Sequence, residues 1–488
     1  MVDKSSMNVK GQPAAPETLV MKFGGTSVGS PEAMEQVVEI VRNCRPEWPR
    51  LVVVTSALSG VTNMLLESAA AAEKGEIESI APTQVKLREI HRMILEQLIQ
   101  DSSRRKNVLA QVEHLLDEFT SLCNAIGVLG EATPRALDAV ASLGERMSVR
   151  VLAAVLEEAN IPAQPVEASG LIVTDDCYQD AHPDLEATLI RTRRVLEPVL
   201  NQGSVPVVTG FIASNKHGAI TTLGRGGSDY SAGILGAVLP ADDVWIWTDV
   251  DGIMSADPRV VPQARTISEL TYREIAELAY YGAKVLHPKT IRPVIEAGIG
   301  LRICNTFNPS HPGTRLVEDS LSRENGEIKA VTAIQDQRLI TIEGRGMLGV
   351  PGVAARAFSA VASTGTSVPL ITQASSEQSI CFAVPSGSAS YVVAALEQAF
   401  TIELGRRDID RIWASNEVVI VTVVGAGMIH TPGIAGRVFS ALGAQRVNVI
   451  AIAQGSSEVS ISLVVDANDA SAALRTLHEL IVPKMTTD

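Results

Sequence analysis

At 488 residues the chain is too long for one ordinary domain, and we expect roughly two to four compact units. Hydrophobic residues make up 46% and charged residues 20%, a composition typical of a soluble globular protein. The formal net charge of −14 and the aromatic content of 4% argue against a nucleic-acid-binding protein, which needs clustered Lys and Arg and stacking surfaces. A few charges at a local site can still bind a small anion.

The cysteines show no recognisable framework. Their number is odd and none follows Cys-x-x-Cys spacing, so we expect neither disulfides nor a zinc site. The cysteines are Cys44, Cys123, Cys177, Cys304 and Cys381.

Targeting and membrane segments are not apparent in the sequence. No apolar run approaches the about 18 residues of a membrane span, so no membrane partner is expected. The N-terminus is polar and contains Pro and Gly without an apolar stretch, which predicts a disordered tail over 1–17 instead of a signal peptide. These features predict a cytoplasmic protein.

The first three fifths of the chain alternate between strands and helices. A charged segment at 64–128 repeats Leu, Ile and Val at helical spacing. The alternation predicts an α/β domain over residues 18–315, with a mostly parallel central sheet between helix layers. Strands are predicted in the apolar segments 19–25, 51–60, 162–168, 205–213 and 243–250.

The pattern changes near residue 310, after which the chain repeats itself with an offset of 81 residues. A constant offset over this length indicates two copies of one module, each with the order strand, helix, strand, strand, helix, strand. We predict α+β modules at 330–405 and 415–488, and the pattern leaves open whether they interdigitate. The matching segments are 346–361 with 427–442 and 371–380 with 452–461.

Of two glycine-rich segments in the sequence, only the second is a candidate for phosphate binding. GRGMLG at 344–349 fits Gly-x-Gly-x-x-Gly, but its repeat partner reads GAGMIH and no acidic residue follows at the spacing of a dinucleotide site. KFGGTSVGS at 22–30 offers one lysine, glycines that admit close approach of the backbone, and several hydroxyl donors. Phosphoryl transfer needs these groups. A solvated lysine beside a Gly-Gly turn is the structural alternative.

Six motifs, taken in order, make the chain resemble aspartate kinase (aspartokinase) of the amino-acid kinase superfamily. The resemblance runs from about residue 18 to the end, and the duplicated modules resemble paired ACT domains. LITQASSE and AIAQGSSE are most similar to segments in the kinase half of bifunctional aspartokinase–homoserine dehydrogenase. No counterpart of the dehydrogenase half is recognised up to Asp488. The motifs are KFGGTSV, VVVTSALSGVTN, GERMS, TTLGRGGSD, WTDVDGIMSADPR and YGAKVLHP.

The resemblance implies transfer of a phosphoryl group from ATP, with Mg²⁺, to the side-chain carboxylate of L-aspartate. The product would be 4-phospho-L-aspartate, at the first step of lysine, threonine and methionine biosynthesis. The acceptor carboxylate is already ionised at pH 7, so the difficulty is to bring an anion to a polyanion. The resemblance assigns Lys22 to the transition-state phosphate oxygens and Asp229 to organising Lys22. Asp229 has helix capping as its structural alternative.

The resemblance also implies a site for the amino-acid part of aspartate. Arg225 has a planar guanidinium that suits the α-carboxylate, with a phosphate contact as the alternative. Glu145 would take the α-ammonium group, and an ordinary surface glutamate is the alternative. Ser56 and Thr62 would add hydroxyl hydrogen bonds, although Thr62 is also a candidate helix cap.

Nucleotide binding is implied mainly for the segment around residues 247–259. Thr248 and Asp249 follow a buried strand, where ligands of α/β proteins bind. Met254 stands where the family often has tyrosine, and its thioether can still pack on adenine. We assign no direct protein ligand to Mg²⁺. The implied nucleotide-binding residues are Lys22, Gly24, Gly25, Thr248, Asp249, Met254, Arg259 and Lys284.

The paired modules imply feedback inhibition by an amino acid. Lysine-sensitive relatives have an acidic residue where this chain has Pro369, which cannot pair with a lysine side chain. Gln373 and Gln454 match the glutamines of threonine-sensitive relatives, and Met347 is a further effector-binding candidate. Threonine is therefore favoured over lysine, and internal hydrogen bonding of the glutamines is the structural alternative. A homodimer or homotetramer through the modules is expected.

Two other readings remain open at this point. One is another kinase of the superfamily, acting on glutamate, acetylglutamate or uridylate. The evidence against such a kinase is the presence of KFGGTSV, GERMS and the paired modules. The other is a catalytically silent amino-acid sensor. A sensor would not need Lys22, Glu145, Arg225 and Asp229 together.

Overall fold

The computed structural model describes residues 17–281, 286, 288–318, 328–344, 352–373 and 379–481. The tail predicted over residues 1–17 lies outside these ranges except for Glu17. The strands are β1 (Thr18–Phe23), β2 (Arg50–Thr55), β3 (Ala163–Val166), β4 (Val173–Thr174), β5 (Val205–Thr209), β6 (Ile212–Asn215), β7 (Ile220–Thr222), β8 (Asp243–Thr248), β9 (Glu269–Thr271), β10 (Gly300–Asn305), β11 (Thr314–Val317), β12 (Ala330–Glu343), β13 (Leu370–Gln373), β14 (Ser379–Pro385), β15 (Arg411–Val424), β16 (Ala451–Ala453) and β17 (Ser460–Asp466). The helices are α1 (Pro31–Cys44), α2 (Val61–Glu73), α3 (Ile80–Leu98), α4 (Ser102–Leu129), α5 (Pro134–Glu158), α6 (Leu185–Asn201), α7 (Gly227–Val238), α8 (Tyr272–Tyr280), α9 (Pro288–Ala297), α10 (Val353–Ser363), α11 (Ala389–Ala399), α12 (Thr401–Arg406), α13 (Ile434–Ala444) and α14 (Ala470–His478).

The described residues divide into two compact units. The first comprises those of Met1–Gly252 and Lys289–Arg315, and the second those of Ile253–Pro288 and Leu316–Asp488. The described residues of 253–288, which the sequence pattern placed in the domain at 18–315, therefore fall in the second unit. The reason is that their apolar side chains, such as those of Ala256 and Val261, are buried in a hydrophobic core of that unit.

A parallel-rich sheet forms the centre of the first unit, in the strand order β3-β5-β2-β1-β8-β10-β11. The strands from β3 to β10 in this order pair in parallel with their neighbours. Their interiors are almost continuously apolar and buried, as expected for a parallel sheet covered on both faces. The predicted α/β class with a mostly parallel central sheet is confirmed.

The central strand β1 presents different residues to the two faces of the sheet. Leu19, Met21 and Phe23 are fully buried in the core that they share with helices α1 to α5. Because successive side chains of a strand point to opposite faces, Lys22 points to the other face. Helix α7 packs against β1 as well, which brings the start of α7 to the carboxyl end of this strand.

An antiparallel-rich sheet organises the second unit, in the order β13-β14-β12-β15-β17-β16. The long strands β12 and β15 are equivalent along their whole length at the 81-residue offset. Ala330–Ile334 pairs with the end of β15, whereas the rest of β12 pairs with its beginning, and the register shifts between the two halves. Each long strand therefore passes from one module into the other.

The two modules interleave through this exchange. Val331, in the first half of β12, is buried in one core with Val421 and helices α13 and α14. Ile340 and Ile342, in the second half, are buried in another core with α10 and α11. The boundaries predicted at 330–405 and 415–488 separate the modules along the sequence, whereas β12 and β15 each contribute residues to both cores.

None of the helices in the described ranges combines the length and apolar character that crossing a membrane requires.

Candidate active site

A cavity of about 530 Å³ opens in the first unit, beside the carboxyl ends of β1 and β2 and the N-terminus of α7. Residues from five stretches of the chain line it, because the ends of parallel strands, helix α5 and the start of α7 meet at this edge of the sheet. The sequence-predicted residues that line this cavity are Lys22, Gly25, Ser56, Thr62, Glu145, Arg225 and Asp229.

Lys22 and Asp229 form an ion pair inside this cavity. Their side chains are only 11% and 15% exposed, so the pair is largely shielded from water. Helix α7 has Gly226 at its N-cap without a side-chain hydrogen bond, and Asp229 lies in its first turn. Asp229 therefore does not cap the helix. Its carboxylate is paired with Lys22 at a position where the helix dipole also favours negative charge.

The glycine-rich turn before α7 has a backbone that other residues would strain. Gly224 and Gly226 have φ values of 75° and 72°, in the left-handed region. A Cβ atom on Gly227 would lie 2.6 Å from the ring of Phe211, so the turn packs closely against the segment after β5. This turn presents Arg225 at the rim of the cavity, exposed and without an ion pair to any described residue.

Glu145 is a buried acid in the wall of the cavity. Its residue is 3% exposed, and Oε1 accepts a hydrogen bond from the N–H of Ala57 at 3.2 Å. Oε2 is buried and has no hydrogen-bond partner among the described residues. Burial raises the pKa of Glu145 to about 8, against the opposing effect of the Ala57 hydrogen bond. A cationic ligand in the cavity would satisfy Oε2 and favour the ionised carboxylate.

Close helix packing positions Glu145. A Cβ atom on Gly144 would lie 2.8 Å from Cβ of Ala57 and 3.3 Å from Cγ1 of Val61. The missing side chain at Gly144 therefore allows α5 to approach the segment between β2 and α2. Without that approach the Glu145 carboxylate would not reach the N–H of Ala57.

Ser56 and Thr62 flank this segment. The N–H of Ser56 donates to the carbonyl of Phe23 at 3.2 Å, which holds the end of β2 beside the end of β1. Thr62 is the second residue of α2, whose N-cap is Gly60 with φ of 79°. Thr62 therefore does not cap the helix, and it lines the cavity.

Two residues that support the site were not identified from the sequence. Buried Asp138, two turns before Glu145 on α5, accepts hydrogen bonds from the N–H groups of Gln179 and Thr222 at 3.0 Å and from the Thr222 hydroxyl at 2.7 Å. It thereby holds the strand that leads into the Arg225 turn. An aspartate in the apolar segment ALDAVASLGERMS was a signal for such a role. Phe211, with φ of 66°, also lines the cavity.

The predicted nucleotide-binding residues fall in different parts of the chain. In the first unit, Thr248 ends β8 and its hydroxyl lies 3.2 Å from a carboxylate oxygen of exposed Asp249. In the second unit, Sδ of Met254 accepts from the Thr266 hydroxyl at 3.5 Å, and Arg259 pairs with Asp257 at 2.6 Å. Lys284 lies outside the described residues. Gly24 lies beside Lys22, since a Cβ on it would be 3.6 Å from Nζ.

The predicted effector-binding residues belong to the sheet edges of the second unit. Gln373 ends β13 and Gln454 follows β16, and both are exposed. Neither side chain forms a hydrogen bond with another described residue, so the internal bonding considered as their structural alternative is not found there. Met347 lies outside the described residues.

Comparison with known families identifies two parts of the chain. The model of the amino acid kinase family matches residues 17–305, and the ACT domain model matches 340–400 and 421–480. The first match covers more than half of the chain, which therefore belongs to the amino acid kinase family.

Curated relatives show which members of the family this chain is similar to. Aspartokinase 1, chloroplastic, of Arabidopsis thaliana is 33% identical over 95% of this chain and 80% of its own length. The bifunctional aspartokinase/homoserine dehydrogenases of Zea mays (number 2, chloroplastic) and Haemophilus influenzae are each 36% identical, over 96% and 95% of this chain. The chain spans about half the length of these bifunctional relatives, 51% and 56% respectively.

Solved structures of aspartokinases are similar to this chain as well. Aspartokinase III of E. coli in complex with aspartate and ADP has a TM-score of 0.78 at 32% identity, covering 95% of this chain and 100% of that one. The same enzyme with lysine and aspartate has a TM-score of 0.76. Within the amino acid kinase family, this chain is thus a member of the aspartokinases with paired ACT domains.

Proposed function

We propose that this chain transfers the terminal phosphoryl group of ATP to the side-chain carboxylate of L-aspartate, giving 4-phospho-L-aspartate and ADP. This is the first step of the biosynthesis of lysine, threonine and methionine. The observation that carries the proposal is one cavity that combines buried Glu145, exposed Arg225 and the Lys22–Asp229 pair. An amino acid with a second carboxylate needs these three kinds of partner.

The α-ammonium and α-carboxylate groups of the amino acid would each bind a side chain of opposite charge. Oε2 of Glu145, which lacks a partner among the described residues, would accept hydrogen bonds from the α-ammonium group. Arg225, which pairs with no described carboxylate, would hold the α-carboxylate through two parallel hydrogen bonds. The hydroxyls of Ser56 and Thr62 would complete the pocket. This arrangement would leave the side-chain carboxylate of aspartate free to face the nucleotide.

Electrostatic stabilisation would then account for most of the catalysis. An oxygen of the substrate carboxylate attacks the γ-phosphorus while the bond from phosphorus to the ADP oxygen breaks, and no proton has to move. Lys22 would neutralise charge on the phosphate oxygens, and Asp229 would hold its ammonium group in position. The N-terminus of α7 also lies in the cavity wall, where Gly227 and Ser228 line it, and the helix dipole favours an anion at the same place.

Magnesium would enter with ATP. Of the cavity carboxylates, Asp229 is paired with Lys22 and Glu145 is proposed to bind the α-ammonium group, so we assign neither as a metal ligand. The residues present fit an ion that is held by phosphates and water, as Mg²⁺ usually is. Bound in that way, the ion would supply further neutralisation of phosphate charge.

Feedback inhibition by an amino acid is part of the proposal, with threonine as the inhibitor and lysine as the alternative. Pro369 offers no charge to a lysine side chain, and Gln373 and Gln454 are exposed with amides that no described residue binds. An amide can bond to the hydroxyl or the main-chain groups of threonine.

We further propose a homodimer or homotetramer formed through the ACT domains. We also propose that the protein lies in the cytoplasm, although some relatives are named as chloroplastic.

A hydroxamate assay tests the reaction directly. Hydroxylamine traps an acyl phosphate, so aspartyl hydroxamate should accumulate only with ATP, Mg²⁺ and L-aspartate together. L-glutamate, N-acetylglutamate and uridylate replace aspartate as controls for other kinases of the superfamily. Absence of aspartate-dependent product would exclude the proposed reaction and favour a silent sensor.

Titration of the active enzyme with threonine and with lysine then identifies the inhibitor, and stronger inhibition by lysine would exclude the threonine proposal.

A further inference from the structure

The segment between β4 and α6 holds an aspartate, a cysteine and a histidine side by side. A carboxylate oxygen of Asp175, Sγ of Cys177 and a ring nitrogen of His182 all lie within 4.8 Å of one another, and the three residues are exposed. We propose that this cluster binds a transition-metal ion of the zinc type through these three side chains. A water molecule would occupy the remaining coordination position.

Hydrogen bonds hold the cluster in place without an ion. Oδ1 of Asp175 accepts from the N–H of Cys177 at 3.2 Å and from the N–H of His182 at 3.0 Å. The N–H of Asp175 donates in turn to the carbonyl of His182 at 3.1 Å. Oδ2 lies 3.3 Å from Nδ1 of His182, so two of the proposed ligand atoms are already adjacent. Little ordering entropy would therefore oppose metal binding.

The rest of the segment is anchored to the first unit. The N–H of Gln179 donates to buried Asp138 at 3.0 Å, and the N–H of Ala181 donates to the carbonyl of Thr222 at 2.9 Å. The amide of Asn215 donates to Asp176 at 2.7 Å. These contacts come from three different elements and fix the segment on both sides of Cys177. The three ligand atoms are thus presented by a supported loop, and a supported loop preserves the geometry of a site.

The combination of ligands selects the class of ion. Thiolate sulfur and imidazole nitrogen suit Zn²⁺ and its neighbours Co²⁺ and Ni²⁺, and a carboxylate oxygen is compatible with them. Mg²⁺ and Ca²⁺ prefer oxygen ligands and would gain little from Cys177 and His182. Three protein ligands with one open position is the arrangement of zinc sites that keep a water molecule.

Cys177 also differs from every other cysteine of the chain in its exposure. It is exposed, Cys44 and Cys381 are half-buried, and Cys123 and Cys304 are buried. Burial raises the pKa of Cys44 and Cys123 to about 11 and that of Cys304 to about 12, and it also raises the pKa of Cys381. Since the thiolate is the metal ligand, those four thiols are poor competitors near neutral pH.

Titration with Co²⁺ tests the site in the full-length, metal-free protein without nucleotide or thiol reductant. We expect one Co²⁺ per chain, an absorption band from thiolate-to-cobalt charge transfer, and displacement of the cobalt by Zn²⁺ but not by Mg²⁺. Replacing Cys177 with serine (Cys177→Ser) should remove the charge-transfer band. Asp175→Asn, which keeps Oδ1 as an acceptor for the loop, and His182→Gln should weaken binding by more than about tenfold, because changes outside the ligand set alone cost that much.

Matched variants serve as controls. Cys381→Ser removes a half-buried thiol. His430→Gln removes an exposed histidine that lies 3.7 Å from a carboxylate oxygen of Glu458 and belongs to no cluster of three metal-ligand side chains among the described residues. Neither should change the cobalt spectrum or the affinity. A thermal unfolding curve on each variant shows whether it remains folded.

Alkylation supplies a second measurement that does not depend on the spectrum. Iodoacetamide should modify Cys177 first in the folded protein, and Zn²⁺ should protect it, as judged by peptide mapping. The proposal is overturned if wild-type protein gives no charge-transfer band, if the band survives in Cys177→Ser, or if Zn²⁺ leaves alkylation of Cys177 unchanged. A band that is lost equally in His430→Gln would overturn it too.

Discussion

Lys22, the fifth residue of β1, forms an ion pair with Asp229 in the first turn of α7. Both side chains are largely buried in the wall of the cavity. The alternation of β1 determines which face Lys22 occupies, and the packing of α7 on β1 brings Asp229 to the same face. A lysine held in this way is oriented before any phosphate arrives, which is how preorganised charges stabilise a transition state.

Replacing Lys22 with alanine should therefore reduce kcat by about 100- to 1,000-fold, the range found when one stabilising donor is lost. Aspartate binding should change much less, because Lys22 is proposed to act on the phosphates. Steady-state kinetics of aspartate-dependent ADP release measures both effects. Lys216→Ala is the matched control, since Lys216 is 70% exposed and should leave kcat unchanged. A normal kcat in Lys22→Ala would contradict the assignment.

The buried carboxyl of Glu145 predicts how aspartate binding depends on pH. Burial raises its pKa to about 8, so below that pH the group is mostly protonated and cannot pair with an ammonium group. Affinity for aspartate should therefore increase with pH up to about 8, approaching tenfold per pH unit for one proton released. Calorimetric titrations in two buffers measure the affinity and the released proton. Glu145→Gln should bind weakly with no such dependence, and the same slope in that variant would rule out Glu145 as its source.

The same group predicts a pH dependence of stability. Its folded pKa is raised above the unfolded value, so between those two values the folded state holds a proton that the unfolded chain has released. The free energy of unfolding should fall through this window as pH rises, by about 1.4 kcal/mol per pH unit for this group alone. Glu145→Gln removes the ionisable group and should be more stable than the wild type above pH 8. Urea unfolding at low and high pH compares the two, and parallel pH profiles would contradict the prediction.

Arg225 is expected to affect binding of aspartate more than turnover. Replacing it with alanine removes charge-assisted hydrogen bonds worth about 1.5–3 kcal/mol, which corresponds to a rise of roughly 10- to 100-fold in KM for aspartate. Arg193→Ala, at an exposed position on α6, is the control and should leave KM unchanged. A rise in KM for ATP with an unchanged KM for aspartate would support the phosphate contact instead.

Gly144 and Gly436 offer a test of close packing at two glycines inside helices. A Cβ on Gly144 would lie 2.8 Å from Cβ of Ala57, whereas one on Gly436 in α13 meets no atom within 4 Å. Gly144→Ala should destabilise the protein by about 1–3 kcal/mol and raise KM for aspartate by displacing Glu145. Gly436→Ala should be neutral or stabilise by up to about 1 kcal/mol. Urea unfolding measures both, and equal effects would show that packing at Gly144 is not special.

The fold class followed from local patterns. The segments at 19–25 and 51–60 are observed as β1 and β2, each shifted by about a residue at its start. The segment at 205–213 is observed as two strands, β5 and β6, because Gly210 and left-handed Phe211 interrupt it. Hydrophobic periodicity identifies apolar faces. It does not reveal a single residue that turns the backbone between two equally apolar strands.

The sequence by itself determined the α/β class and the 81-residue duplication, because these follow from hydrophobic periodicity and a constant offset. Its motifs resemble those of a known family, and that resemblance implied most, but not all, of the residues that line the cavity. Only the tertiary structure decided that Lys22 meets Asp229, that Glu145 is buried with one oxygen unpaired, and that β12 and β15 exchange halves between modules. It also brought Asp175, Cys177 and His182 together, although the spacing of the cysteines had predicted no zinc site. Contacts between distant residues, and the burial that shifts a pKa, depend on strand order and helix packing, and neither is encoded in any one short stretch of the chain.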